Sequence, residues 1–157
     1  MQLRPLATAA AVLALAASLS SCGFDYATDR DYTPAGGANN RDGEVDVLSA
    51  VVVSAAEGSG TFVASLANND PAAEQTFTAV AGSEGATVTA AEFEPVTIRP
   101  GGIVNLADPP AGIVLTGDFG PGEVVPLSID FGNGERISLN VPVVADDTGY
   151  WAGMDLS

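Results

Sequence analysis

No histidine and no lysine occur in the 157-residue sequence, and its sulfur is confined to Met1, Cys22 and Met154. Each absence closes off a chemistry. Without imidazole the chain lacks the usual general base near neutral pH. A serine nucleophile would find neither a His nor a Lys to activate it, so no enzyme is expected. Soft and borderline metal ions want Cys, His or Met ligands, and beyond Cys22 the chain offers them Met154 alone. A single cysteine also rules out an internal disulfide, so stability must come from packing. Basic residues are scarce as well: five Arg stand against 20 acids, for a formal charge of −15. That balance opposes binding to nucleic acid or to anionic lipid, both of which require positive patches.

What is present begins with a short leader. Arg4 is followed by the apolar run Leu6–Leu19, which falls short of the roughly 20 residues that a helix needs to span a bilayer. A positive start, a short apolar run and then small residues make a removable secretory signal over residues 1–21. Its end, "LSSC" (Leu19, Ser20, Ser21, Cys22), resembles the bacterial lipobox. That resemblance implies cleavage before Cys22 and a diacylglyceryl group on its sulfur. Two acyl chains suffice for stable anchoring, which would hold the chain on the outer face of the cell membrane without spanning it. The competing reading is a plain signal peptide, with Cys22 a free thiol or half of an intermolecular disulfide.

Behind Cys22 the texture changes twice. Residues 22–42 hold clusters of Gly, Pro, Asn and Asp without a sustained period, and read as a flexible tether. From Gly43 to Ala145, short β-branched and alternating runs recur at intervals of roughly ten residues. They are "EVDVLSAVVV", "TFVASLAN", "QTFTAVAG", "ATVTAAEF", "VTI", "IVNLA", "IVLTG", "VVPLSIDF" and "RISLNVPVV". Turn-forming residues separate them: "NNDPAAE", "RPGG", "DPPAG" and "GNGE", the last being the best hairpin signal in the chain. With 46% hydrophobic residues the chain is not disordered by composition. The pattern predicts an all-β, antiparallel β-sandwich over 43–145, then an aperiodic tail, 146–157, in which Trp151 either docks or is mobile. Pro126 and Pro142 interrupt expected strands and are expected at edges or bulges.

Candidate site residues are few. Hard Ca²⁺ favours clustered oxygens, and Asp42, Glu44 and Asp46 are the foremost candidates, followed by Asp29 with Asp31 and Asp146 with Asp147. None has EF-hand spacing, and a solvated acidic surface is the competing reading. Glu92 and Glu94, at alternate positions of an expected strand, share a face as a carboxylate pair. "GNGE" has no following helix and is no phosphate loop.

The order "TFVASLANND…TFTAVAG", "VTIRPGGIVNL" and "GIVLTGDFGPGEVVPLSIDFGNGERISLNVPV" resembles the bacterial periplasmic copper chaperones with a PCu(A)C-type domain, in an actinobacterial lipoprotein branch. The resemblance covers about residues 45–144 and implies a cupredoxin-like or immunoglobulin-like sandwich. The family's copper ligands are a His, a downstream Met and a later His-x-Met pair. On this chain the pair falls on Gly112 and Val114, the first His near Thr89–Ala91, and the Met near Glu92–Pro95. The expectation is a non-catalytic binding module without that copper site, carrying no cofactor beyond the lipid and meeting an envelope protein or wall component. A divergent copper or other metal chaperone and a calcium-stabilised structural module are the alternatives.

Overall fold

In the computed structural model the described residues are 36–147 and 151–152. All the strands below belong to the unit Ala35–Ser157. They are β1 (Ala38–Asn40), β2 (Val45–Ala56), β3 (Ser59–Asn68), β4 (Gln75–Gly82), β5 (Val88–Ala90), β6 (Val96–Ile98), β7 (Ile103–Asn105), β8 (Val114–Gly117), β9 (Val124–Phe131) and β10 (Arg136–Ala145). The described residues contain no α-helix.

The expected all-β sandwich forms, and its sheet closes on itself. The ring runs β2–β10–β9–β4–β5–β8–β3 and returns to β2, with β1 on β2, β6 on β4 and β7 on β3. One pairing departs from the antiparallel expectation. β10 runs antiparallel to β9 as far as Pro142, and its last residues, Val143–Ala145, then lie parallel to Val52–Ser54 of β2. Pro142 marks this change of partner. Pro126 sits where β4 has just ended, its carbonyl accepting from Ser83 N at 3.0 Å. Both prolines therefore fall where a ladder stops and a missing N–H does least harm.

The run "LSAVVV" does not alternate, because β2 changes phase within it. Val45 and Val47 face the core before Ser49; Ala50 and Val52 face it afterwards. Ser49 is the bulge, with φ +52 and a register shift between Leu48 and Val51. One extra residue turns the following side chains to the other face. Asn39 Oδ1 accepts from Ser49 N at 2.9 Å and holds the kink. Residues 38–40, placed in the tether on sequence grounds, thus give the sheet a strand and a clamp. After the bulge Val51 and Val53 point outward, yet they are buried with Val63 beneath Ala107, Val144 and Trp151. Trp151 docks. β4 repeats the device, with a shift between Phe77 and Ala79 that puts both Phe77 and Val80 in the core.

The hairpin expected at "GNGE" is present. Phe131 N donates to Glu135 O at 2.9 Å, Gly134 N to Phe131 O at 3.0 Å, and Gly134 has φ +88. A turn followed by a left-handed glycine is the three-residue hairpin loop, and glycine is the residue that adopts it without strain.

Candidate functional site

Two strands of the sandwich are interrupted at the same seam. β5 and β6 both pair with β4, separated by residues 91–95; β7 and β8 both pair with β3, separated by residues 106–113. The two gaps meet where β5 lies on β8: Ala90 pairs with Leu115, and Ala91 N donates to Val114 O at 2.8 Å. The structure therefore brings together two of the segments on which the family resemblance places copper ligands. Thr89, Ala91, Gly112 and Val114 are exposed there. Their side chains are a hydroxyl, a methyl, a hydrogen and an isopropyl group, and none supplies a soft donor.

The gap between β5 and β6 is filled from its own middle. Phe93 turns inward and stacks on Phe77, with ring centroids 5.2 Å apart and planes 30° apart. Phe77 also meets Phe62 and Phe131, each at 6.2 Å. Glu92 and Glu94 are exposed on either side of Phe93. They do not lie on a strand, because β5 ends at Ala90, so the expected carboxylate pair on one strand face is not formed. The gap between β7 and β8 is a tight loop: Ala107 bridges to Pro110, Ala111 N donates to Leu106 O at 2.9 Å, and Ala107 N donates to Asn105 Oδ1 at 2.9 Å.

The calcium candidates lie at the barrel end where β2 starts, and amides meet them there. Glu44 Oε2 accepts from Gln75 Nε2 at 3.0 Å and from Asn133 Nδ2 at 2.8 Å. Asp46 Oδ1 accepts from Asn69 Nδ2 at 2.7 Å, whereas Asp42 takes part through its backbone N–H, donated to Asn40 Oδ1. Among the described residues no group of three or more His, Cys, Asp or Glu is placed to hold a metal ion. Asp146 follows β10, its N–H directed at Ser54 O at 3.3 Å, and Asp147 is exposed. Leu19, Ser20, Ser21 and Cys22, with Asp29 and Asp31, lie outside the described residues.

Beside the hairpin, Thr78, Asp130, Phe131, Gly134, Glu135 and Arg136 line a shallow open groove of about 420 Å³. Arg136 forks onto Asp130, with Nη2 2.8 Å from Oδ2. The guanidinium hydrogen bonds hold the Asp130 carboxyl below its ordinary pKa, against a smaller opposing effect of burial. Sequence reasoning treated both residues as ordinary strand positions. They face each other across the hairpin, a contact that pairing "IDF" with "RIS" around "GNG" would have signalled.

Asn68, the last residue of the expected strand "TFVASLAN" and the first of the loop "NNDPAAE", ends β3 and is a buried clamp. Its Nδ2 lies 2.8 Å from Ala73 O, 3.3 Å from Ile98 O and 3.2 Å from Arg99 O, and its Oδ1 accepts from Asp70 N at 2.9 Å. It ties the "NNDPAA" loop to the "IRPGG" turn.

Strand order and closure define an all-β, cupredoxin-like or immunoglobulin-like sandwich, with irregular segments meeting at one seam. Solved structures that resemble it include PCuAC domains. The chain is similar to the apo PCuAC domain from PmoF1, at 18% identity and a TM-score of 0.55, over 68% of this chain and 98% of that one. The apo PmoF2 PCuAC domain gives 14% and 0.54 over 71% and 97% of the two chains. The copper-bound PCuAC domain from PmoF2 gives 15% and 0.54 over 68% and 97%. Likeness at this level is one of fold. No family model and no curated protein matches the chain.

Proposed function

We propose that this chain is a lipid-anchored extracytoplasmic protein whose PCuAC-like sandwich serves as a non-catalytic binding module, without the copper site of that family. The observation that carries the reading is the seam itself. Ala91 and Val114 are joined by a backbone hydrogen bond, Gly112 lies two residues away, and Phe93 is packed into the neighbouring gap. A cupredoxin-like scaffold is kept while methyl, isopropyl and phenyl groups stand at the positions where the resemblance places imidazole and thioether. Fold alone does not transfer function, because function resides in the site. The leader and "LSSC" support cleavage before Cys22, a diacylglyceryl anchor on its sulfur, and a position on the outer face of the membrane. Residues 22–37 would then link lipid to β1. The partner fitting such a module is an envelope protein or a wall component; the formal charge of −15 argues against nucleic acid.

Two measurements test the reading. Cu(I) titrated into residues 23–157 against a competing chelator is expected to stay with the chelator. Sub-micromolar retention by the protein would overturn the copper-free module and favour a divergent metal chaperone. Cys22→Ala in the full chain is expected to release the protein from the membrane fraction or to leave the leader uncut. Normal processing with unchanged membrane association would overturn the anchor. A Ca²⁺-dependent rise in melting temperature would instead support the calcium-stabilised module, since a ligand that binds the folded state stabilises it by mass action.

A further inference from the structure

Asn133 is the one asparagine in the sequence followed by glycine. This pairing favours backbone-assisted deamidation, because the glycine nitrogen can reach the side-chain carbonyl carbon without obstruction from a Cβ. Here the residue is exposed, in the loop between β9 and β10. Yet each group the reaction needs is engaged. Asn133 Nδ2 donates to Glu44 Oε2 at 2.8 Å, Asn133 Oδ1 accepts from Glu135 N at 2.9 Å, and Gly134 N donates to Phe131 O at 3.0 Å.

We propose that Asn133 is a site of spontaneous deamidation and that Glu44 holds the reaction back while the domain is folded. In the reaction Gly134 N gives up its proton to solvent base and bonds to Asn133 Cγ. The bond from Cγ to Nδ2 breaks, and that nitrogen leaves as ammonia, taking up a proton from solvent. Water then opens the resulting cyclic imide to aspartate or isoaspartate at position 133. The net change is one water consumed and one ammonia released, with nothing oxidised or reduced. Cyclisation requires the Asn133 side chain to rotate off both of its partners. Of these the Glu44 contact is the charge-assisted one, and such bonds are roughly twice as strong as neutral ones.

The product changes the local electrostatics in one direction. A donor facing Glu44 becomes a second carboxylate at hydrogen-bond distance, and Gln75 Nε2 remains as the amide donor to Glu44. Glu44 N is also within 3.3 Å of Glu135 Oε1, so repulsion at this point loosens the hairpin from the start of β2.

Conversion at position 133 of the full chain is followed by peptide mass spectrometry at mildly alkaline pH, folded and in urea. The folded chain is expected to convert about tenfold more slowly than the unfolded one, the factor that one charge-assisted hydrogen bond supplies. Glu44→Ala should remove most of that protection, and Glu44→Gln, which keeps an acceptor oxygen, should remove less. Asn133→Asp should lower the melting temperature, and adding Glu44→Gln should restore it by returning a donor. Equal rates in the folded and unfolded chains, or no conversion in either, would overturn the proposal. So would a folded Glu44→Ala variant converting at the parental rate; if that variant does not fold, the Glu44→Gln rate decides in the same way.

Discussion

Replacing Asn68 with alanine removes the clamp between two loops and tests whether a single buried amide organises that end of the barrel. The residue is 3% exposed. Its two amide protons serve three carbonyls, so the donor side amounts to two full hydrogen bonds, and Oδ1 adds a third from Asp70 N. At about 1 kcal/mol net for each, the loss is about 3 kcal/mol, somewhat more for carbonyls that water fails to reach. For a domain of this size that corresponds to a fall in melting temperature of about 15 °C. Urea unfolding should show a lower midpoint with an unchanged slope, since the surface exposed on unfolding is the same. Asn68→Asp sharpens the test, because a carboxylate would face three carbonyl oxygens without a donor. Burial beside acceptors raises the folded pKa of that acid above its unfolded value of about 3.9. The acid's hydrogen bonds then contribute fully below the unfolded pKa and are lost as pH rises through the folded one. Near neutral pH the aspartate variant should therefore be the less stable of the two, and acid should narrow the gap. An alanine variant within about 0.5 kcal/mol of the parent, the usual range for surface changes, would refute the clamp. So would an aspartate variant as stable as the alanine one at neutral pH.

Phe77→Ala should cost about 4 kcal/mol, since it empties the centre of three aromatic contacts; Phe93→Ala, at a half-buried position, should cost about half as much in the same denaturation assay. Trp151→Ala should uncover Val51, Val53 and Val63 and lower stability by about 2 kcal/mol, with dye binding reporting the exposed patch. Arg136→Ala should raise the Asp130 pKa back toward its ordinary value in an NMR titration. Because that pKa is lowered in the folded chain, the ion pair contributes above the unfolded value and its contribution fades as pH falls through the lowered one. Arg136 is exposed and Asp130 half-buried, so solvent reaches the pair and added salt should shrink the difference.

The strands were legible where one face was wet. "VVPLSIDF" and "RISLNVPVV" alternate cleanly, and β9 spans Val124–Phe131 as read. "GNGE" announced its hairpin because glycine at the left-handed position is local chemistry. The bulge at Ser49 was hidden, since one serine does not mark a phase change when the valines after it are apolar on both faces and Trp151, far along the chain, covers the outward one. β1 was hidden too: three residues of "GGANN" form a strand because β2 and β10 leave a place beside them, which no local propensity encodes. "ATVTAAEF" was read as one strand, but its second half leaves the sheet so that Phe93 can reach Phe77. Of the candidate site, the residue types were legible and their neighbours were not. Nothing near "DGEVD" indicates that amides from Gln75, Asn133 and Asn69 would meet its carboxylates.

Closure of the strand ring also governs how copies of this protein meet one another. Unpaired strand edges are templates for self-association. The path of paired strands begins at β1 and ends at β7, with β6 off to one side, and each of these is three residues long. Longer strands such as β2, β3, β9 and β10 have neighbours on both sides within the ring. A chain with abundant β-branched sequence thus offers a neighbouring copy only brief stretches of free ladder among its described strands. Such a fold can be crowded at high concentration without being drawn into fibres.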